Sequence, residues 1–314
     1  MVSTIIPVYN RDAMLREAVA SVLAQTWRPI EIIIVDDGST DDTPRAMAEL
    51  QGLHPETIRL LRQGNAGPGA ARQAGIALVR GEFVQFLDSD DVLLPEKFAL
   101  QVAGLRSDPE AGIAYGKTYT REHGIRLAGS AQHTGERHRT LFPALLREPL
   151  WPTLTPLYRN DVLPAVGPWP CAKQLEDWQY DAQAAALGVK LHYVDAYVAE
   201  TRNHDQSRLC HLWKTDAGAM RDRAHAYMQV LGHAQRAGIP RQAPEMQQFV
   251  RSLFWMARDT GASGLQREAE ELFDLARSNA LHPGWDYRFF AAAASVLGWV
   301  RSGKLARIAS RWRR

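Results

Sequence analysis

Short apolar runs alternate with amphipathic segments along the first part of the chain. Apolar runs bounded by polar or turn residues predict strands near residues 4–9, 31–35, 58–61, 82–87, 111–119 and 190–198. Apolar positions at helical spacing predict helices near residues 13–25, 43–51, 70–80, 95–105 and 174–187. Repeated strand–helix units of this length favour a mostly parallel sheet with helices on both faces. The weak pattern over residues 120–170 indicates loops and irregular structure.

The rest of the chain has a helical pattern. Helices are expected near residues 211–237, 243–259 and 264–279, followed by a basic amphipathic helix from about residue 287. The sequence therefore predicts an α/β domain over residues 1–210 and a helical C-terminal region over residues 211–314.

Polar clusters follow three of the predicted strands. The first strand ends in Asn10, the second in Asp36-Asp37-Gly38-Ser39, and a later one in Asp88-Ser89-Asp90-Asp91. Ligands bind at the carboxyl ends of strands in open parallel sheets. Carboxylates two residues apart at such an edge are typical ligands of Mg²⁺ or Mn²⁺, which in turn hold phosphates. The alternative for the third cluster, after the later strand, is an Asx-type turn that caps the next helix.

Charge is unevenly distributed along the 314 residues. The net charge is +2, yet residues 301–314 carry six basic and no acidic residues. This asymmetry indicates a C-terminal contact with an anionic partner. Two cysteines are too few for a disulfide framework, and no signal peptide or membrane-spanning run is apparent. The expected location is the cytoplasm, with a peripheral position on the inner face of the cytoplasmic membrane left open.

Several motifs in order resemble the family 2 inverting glycosyltransferases, which have the GT-A fold. They are Ile5-Ile6-Pro7-Val8-Tyr9-Asn10, Val35-Asp36-Asp37-Gly38-Ser39, Asn65-Ala66-Gly67-Pro68-Gly69-Ala70-Ala71-Arg72, Phe86-Leu87-Asp88-Ser89-Asp90-Asp91, Leu175-Glu176-Asp177-Trp178 and Thr201-Arg202-Asn203-His204-Asp205-Gln206-Ser207. The resemblance implies a nucleotide-diphospho-sugar transferase domain over about residues 2–210.

The resemblance implies a donor site built from the strand ends. Asp37 would hold the base, and Arg72 would reach the base or a phosphate. Pro7 and Tyr9 would form the wall on which the base packs, since an aromatic face suits a nucleobase. The full expected set of donor-binding residues is Pro7, Tyr9, Asn10, Asp36, Asp37, Asn65, Arg72, Asp88 and Ser89.

The implied cofactor is Mn²⁺ or Mg²⁺, with Asp90 as direct ligand and Asp88 beside it. His204 is either a further metal ligand or a structural histidine, and Arg202 is expected to face the diphosphate. Asp177 is the candidate general base that takes the proton of the acceptor hydroxyl. Its alternative role is to stabilise a helix N-terminus. Glu176 and Trp178 are expected to bind the acceptor, Trp178 by stacking on a sugar.

The expected function is metal-dependent transfer of a sugar from a nucleotide diphosphate sugar, with UDP favoured. The acceptor would be a glycan or a lipid-linked molecule in cell-surface polysaccharide synthesis, and no nucleic acid partner is expected. A catalytically silent nucleotide-sugar-binding scaffold and a sugar nucleotidyltransferase are the alternatives.

The basic tail allows two interpretations. Lys304, Arg307 and Arg311 are spaced i, i+3, i+7, which places them on one face of a helix. Leu305, Ile308 and Trp312 have the same spacing one residue later in the chain and form an adjacent apolar face. These adjacent faces suit an anionic membrane surface contacted through residues 287–314. Alternatively, the apolar face packs on the preceding helices and the bases are solvated.

Overall fold

The computed structural model describes residues 1–203 and 216–311, with side chains as far as Arg307. The chain divides into two compact units. The first comprises Met1–Leu141, Pro149–Cys171 and Leu187–Gln206, and the second comprises Phe142–Glu148, Ala172–Ala186 and Ser207–Arg314. His204 and Trp312, which were assigned roles from sequence, lie outside the described residues.

The described part of the first unit contains one mixed sheet of nine strands. Their order across the sheet is β3-β2-β1-β4-β8-β6-β9-β5, with β7 paired to β6. The strands are β1 (Val2–Val8), β2 (Ile30–Asp36), β3 (Ile58–Arg62), β4 (Phe83–Phe86), β5 (Val92–Leu93), β6 (Ala111–Glu122), β7 (Ile125–Arg126), β8 (Leu157–Arg159) and β9 (Lys190–Asn203).

The two halves of the sheet are built differently. Strands β3, β2, β1 and β4 run parallel, as the alternating pattern predicts. Strand β8 pairs antiparallel with both β4 and β6, so it changes the direction of the ladder in the middle of the sheet. Beyond it, β6 and β9 are parallel again, and β5 adds antiparallel to β9. The short strands β5, β7 and β8 carry too few residues to show a pattern in the sequence.

Helices cover the sheet and bury its apolar side chains. Those of the first unit are α1 (Asp12–Leu23), α2 (Thr43–Leu53), α3 (Pro68–Ile76), α4 (Lys97–Ser107) and α5 (Leu163–Val166). The core includes Ile6 and Ile32 from the sheet, Leu15 and Val19 from α1, and Phe98 from α4, all fully buried. Gly75 of α3 lies so close to β1 that a Cβ there would come within 2.5 Å of Ile5.

The described part of the second unit is helical. Its helices are α6 (Glu176–Ala186), α7 (Ala217–Arg236), α8 (Pro244–Ala262), α9 (Gln266–Asn279), α10 (Trp285–Leu297) and α11 (Trp299–Arg311). The expected single helix from about residue 287 is wrong, because two helices meet at Gly298. That residue adopts φ 77°, a left-handed conformation that ends helices and favours glycine. Among the described helices, none is long and apolar enough to cross a membrane.

A lysine lies inside the first unit. Lys97 is fully buried, and its Nζ donates to Gln101 Oε1 at 2.6 Å and to the carbonyl oxygen of Thr155 at 2.7 Å. Burial lowers the pKa of Lys97 well below its ordinary value, since removal from water disfavours the charged form. The amine is thus used as a hydrogen-bond donor within the core.

We predict that Lys97→Met changes how stability depends on pH. Between the lowered folded pKa of Lys97 and the unfolded value near ~10.4, the unfolded chain binds more protons, so the wild-type free energy of unfolding rises with pH. The substitution should stabilise most at the acid end of that window and progressively less towards about pH 10. Urea unfolding across this range measures the difference. Lys190→Met, on the exposed start of β9, is the control, and a pH-independent difference for Lys97→Met would contradict the prediction.

Candidate active site

The parallel ladder aligns the carboxyl ends of three strands. Val8 of β1 lies beside Asp36 of β2, and Ile5 lies beside Phe86 of β4. The hydrogen bonding continues one residue beyond the strands, where Asp37 N donates to Val8 O at 2.9 Å and Leu87 N donates to Ile5 O at 3.0 Å. The polar clusters that follow these strands therefore lie at one edge of the sheet, as the sequence predicts.

Asp37 fixes the glycine-rich loop that precedes α3. Its buried carboxylate accepts from Ala66 N and Gly67 N and from Gln63 Nε2, each at 2.8 Å. Gly38 follows with φ +82°, and a Cβ there would come within 3.0 Å of Asn65 N. Hydrogen bonds to a carboxylate are stronger than those to neutral acceptors. Asp37 thus positions the loop that contains Asn65.

Asp36 is buried beside Asp37 and faces a different set of groups. Its Oδ1 accepts from Ser39 N at 2.8 Å, and its Oδ2 lies 3.2 Å from Arg62 Nε. Arg62 is largely exposed and also donates to Ser39 O at 3.0 Å. The turn after β2 is therefore held from both sides by charged groups.

Hydrogen bonds connect the turn after β1 to the turn after β2. Asn10 has φ 52°, a left-handed conformation that asparagine tolerates, and its N–H donates to Ser39 Oγ at 2.9 Å. Its Oδ1 accepts from Thr40 N at 2.8 Å. Tyr9 is exposed, whereas Pro7 is buried in β1. Of the two residues expected to form the wall beside the base, Tyr9 presents surface to solvent and Pro7 does not.

Arg72 links α3 to the acidic segment after β4. Its side chain is almost fully buried, and Nη2 donates to Asp88 Oδ1 at 2.5 Å. The guanidinium carbon lies 4.6 Å from the ring centre of Trp169, whose backbone N–H donates to Gln73 of the same helix at 3.0 Å. The sequence placed Trp169 in irregular structure and gave no signal for this stacking.

The rest of the acidic segment is held by two further arginines. Arg11 Nη1 donates to Asp90 Oδ2. Arg202 of β9 donates from Nε to the carbonyl oxygen of Asp90 at 2.5 Å and from Nη1 to Glu17. Arg202 therefore contacts the acidic segment itself. Ser89 is buried between the two ion-paired aspartates.

Asp91 anchors this segment to the far half of the sheet. Its carboxylate accepts from Arg202 N at 2.8 Å and lies 3.4 Å from Thr201 Oγ1. Burial raises the pKa of Asp91 well above its ordinary value, and the charges of Asp90 and Asp88 add to the rise. The alternative of an Asx-type capping turn does not describe Asp91, because its bonds reach across to β9.

Helix α6 belongs to the second unit and carries the candidate base in its first turn. Asp177 is half-buried there, and Glu176 beside it is buried. Trp178 is 3% exposed, donates from Nε1 to Leu145 O at 3.0 Å and packs edge-on against Tyr227. Its expected role of stacking on an acceptor sugar is corrected, because the ring is enclosed by the helices of its own unit.

The family model for glycosyl transferase family 2 matches residues 3–160. This chain belongs to that family. Over 96 residues it is 43% identical to the minor teichoic acid biosynthesis protein GgaA of Bacillus subtilis. The aligned segment covers 29% of this chain and 22% of that protein. The chain spans between 16% and 35% of the length of the first curated relatives that it matches.

Solved structures share the fold of this family 2 chain. S. aureus TarS 1–349 in complex with UDP has a TM-score of 0.66 at 18% identity, covering 95% of this chain and 91% of that one. The mannosyltransferase of Pyrobaculum calidifontis in complex with GDP-Man and Mn²⁺ has a TM-score of 0.58 at 17% identity, covering 98% and 86%. At such identities the likeness shows the fold alone. The expected GT-A architecture with a helical C-terminal region is thereby confirmed.

The residues after β4 have the chemistry that a divalent cation requires. Mg²⁺ is usually held by one or two carboxylates together with substrate phosphates and water. Asp88 and Asp90 offer two hard oxygen groups, and each carboxylate already has a cationic partner at contact distance. Across residues 1–203 and 216–311, no three His, Cys, Asp or Glu side chains converge as a metal-binding group. The two aspartates fit a metal that is shared with a bound diphosphate.

We predict that Asp37→Asn destabilises the protein in the absence of any nucleotide. In the wild type, both carboxylate oxygens of Asp37 accept from backbone N–H groups. The amide of asparagine has one oxygen and one NH₂, so in the variant the NH₂ would face a backbone N–H, and two donors would oppose each other. The loss of one buried hydrogen bond should lower the free energy of unfolding by about 1–3 kcal/mol. Urea unfolding measures it.

The matched control is Asp42→Asn, because Asp42 is exposed and its ion pair with Arg45 spans 3.3 Å at the surface. Exposed pairs of this kind contribute little. If the two variants unfold at the same urea concentration, Asp37 does not hold the loop.

Proposed function

We propose that this chain is an inverting glycosyltransferase. It transfers a sugar from a nucleotide diphosphate sugar, for which UDP is the favoured nucleotide, to a glycan or lipid-linked acceptor in cell-surface polysaccharide synthesis. The observation that carries the proposal is the set of carboxylates and arginines at the aligned ends of β1, β2 and β4. The family membership and the nucleotide complexes of TarS and the mannosyltransferase support it.

The nucleoside end of the donor is assigned to the β1 and β2 turns. Tyr9 is exposed beside Asn10, and an aromatic face suits a base. A carboxylate has about four acceptor positions. Three of these positions on Asp37 are used by donors in the loop before α3, which leaves one acceptor position on Oδ2 for a base N–H. Asp36 and Asn65 complete this part of the proposed site.

The diphosphate end is assigned to the segment after β4. Asp90 would hold Mn²⁺ or Mg²⁺, with Asp88 and Ser89 beside the ribose or the sugar. The metal supplies charge neutralisation for the leaving nucleoside diphosphate. For Asp90 to take this role, Arg11 must leave the carboxylate that it now contacts. Arg72 is already held rigidly by Asp88 and Trp169, so it needs little reorganisation to face a phosphate.

The acceptor step is assigned to α6 from the sequence motif. Asp177 takes the proton of the acceptor hydroxyl. As it does so, the hydroxyl oxygen bonds to the anomeric carbon of the donor sugar, and the bond between that carbon and the diphosphate breaks. Attack from the face opposite the leaving group inverts the configuration. Glu176, buried in the same turn, is the proposed acceptor-binding partner. The proposal places a lipid-linked acceptor at the inner face of the membrane, with contact through residues 287–314.

We predict that nucleotide binding raises thermal stability in a metal-dependent manner. UDP with Mn²⁺ should stabilise the wild type more than GDP, dTDP or CDP does, and EDTA should abolish the effect. A ligand at about 100 times its Kd adds about 2.7 kcal/mol. Asp90→Asn should lose most of this rise, and the exposed Asp42→Asn should keep it. If the nucleotide raises the melting temperature equally in EDTA, the metal role is contradicted. If no nucleotide raises the melting temperature, the donor site is contradicted.

We further predict that Asp177→Asn abolishes turnover and spares donor binding. Removal of a general base typically lowers the rate by about 10²–10⁴-fold. The assay is release of UDP from a panel of UDP-sugars with a membrane-lipid extract as acceptor source, run beside the UDP thermal shift. Asp274→Asn, on the exposed face of α9, is the control. Wild-type turnover in Asp177→Asn would show that another group takes the proton.

A further inference from the structure

Helix α10 presents an apolar stripe to solvent. Trp285 is 67% exposed, Phe289 is 70% exposed and Val296 is 81% exposed. A helix turns by about 100° per residue, so these side chains lie within roughly 40° of one another around its axis. The rings of Trp285 and Phe289 contact edge-to-face with centres 5.5 Å apart. The stripe is thus a row of exposed apolar side chains along one face of α10.

The opposite face of α10 is fully used by the protein core. Tyr287, Phe290 and Ala294 are buried there. Tyr287 stacks on Phe254 of α8 at 4.3 Å, and Phe290 packs edge-on against Trp299 of α11 at 5.6 Å. Because α10 is fixed by this face, the exposed stripe cannot turn inward without loss of the aromatic core.

Three further exposed leucines lie on or beside α10 and α11. Leu281 precedes α10, Leu297 ends it and Leu305 lies on α11, and all three are exposed. Apolar residues scattered singly over a surface need no explanation, whereas a group of this kind marks an interaction site. Residues 281–305 therefore form the candidate docking surface.

The charge of this region selects the partner. Residues 281–314 contain seven Arg and Lys residues and one acidic residue, Asp286. That aspartate is paired with Arg251 at 2.5 Å. Arg288 on α10 and Arg301 and Lys304 on α11 are exposed. A second copy of this chain docked through the same face would bring like charges together, whereas an anionic lipid surface is complementary to them.

The described part of α11 is held against α8. A Cβ at Gly303 would come within 2.4 Å of Ala262 N, and Arg258 Nη2 donates to Ala306 O at 2.8 Å. The face of α11 around Gly303 is therefore occupied, and its exposed groups are basic apart from Leu305. The apolar part of any surface contact must come mainly from α10.

We propose that the α10 stripe lies in the interfacial layer of an anionic bilayer, with the bases of α11 over the lipid headgroups. Trp and Phe suit this layer, and basic side chains at its edge strengthen binding to anionic lipids. The proposal rests on the membrane contact that is part of the proposed function, and it is independent of the proposed chemistry. It names α10 as the inserting element.

The test is cosedimentation of the full chain with lipid vesicles. One set is phosphatidylcholine alone, and the other contains roughly a third phosphatidylglycerol. The stripe variant is Trp285→Ser with Phe289→Ser, and the charge variant is Arg301→Glu with Lys304→Glu. Leu53→Ser is the control, because Leu53 is 72% exposed on α2 of the first unit.

The wild type and Leu53→Ser should bind anionic vesicles, and they should bind neutral vesicles much more weakly. The stripe variant should bind about tenfold or more weakly, since each lost aromatic contact removes a large apolar area. The charge variant should lose the preference for anionic lipid. No wild-type binding to anionic vesicles, or unchanged binding of the stripe variant, would overturn the proposal.

Sedimentation velocity of the same proteins tests the rival occupant. A wild-type dimer that the stripe variant converts to a monomer would assign the stripe to a second copy and overturn the membrane proposal. The UDP thermal shift of each variant is measured in parallel. A retained shift with lost vesicle binding separates failure of membrane contact from failure of the proposed donor site.

Discussion

Pairing of carboxylates with guanidinium groups at one edge of the sheet is the constraint on which the candidate site depends. Parallel pairing of β1, β2 and β4 brings Asp36, Asp88 and Asp90 to the same edge. Unpaired, such carboxylates would repel one another and resist burial. Arg62, Arg72 and Arg11 each contact one of them. The edge is thus charged but nearly balanced.

This arrangement explains why the loops around the edge are so closely tied to the strands. Asp37 fixes the loop before α3 through backbone N–H groups, and Asn10 ties the first turn to the second. Asp91 reaches across to Arg202 of β9. Preorganised groups cost little reorganisation when a charged ligand arrives, which is the property that a site for a nucleotide diphosphate requires.

Much of the sheet and of its edge follows from local pattern. The strands that become β1, β2 and β4 are largely apolar runs followed by polar residues, which are acidic after β2 and β4, so both the strands and the position of their polar ends could be predicted. Short antiparallel strands such as β8 could not, because three residues show no periodicity. The break at Gly298 was missed because apolar residues continue on both sides of this glycine.

Long-range pairings were not visible in the sequence. Arg11 and Asp90 are 79 positions apart, and nothing in either local motif links them. The stacking of Arg72 on Trp169 is likewise set by tertiary packing. Trp178 was expected at a sugar surface because of its motif, yet its ring is enclosed by Tyr227 and Phe249. Local sequence thus identified which residues are chemically capable, and packing decided which of them are exposed.

The most direct test of the proposed donor site is an anomalous difference map from crystals grown with Mn²⁺ and UDP. We expect a manganese peak within bonding distance of the Asp90 carboxylate and of the diphosphate, with Arg11 no longer on Asp90 and the uracil beside Tyr9. A manganese peak or a nucleotide bound away from the carboxyl ends of β1, β2 and β4 would contradict it.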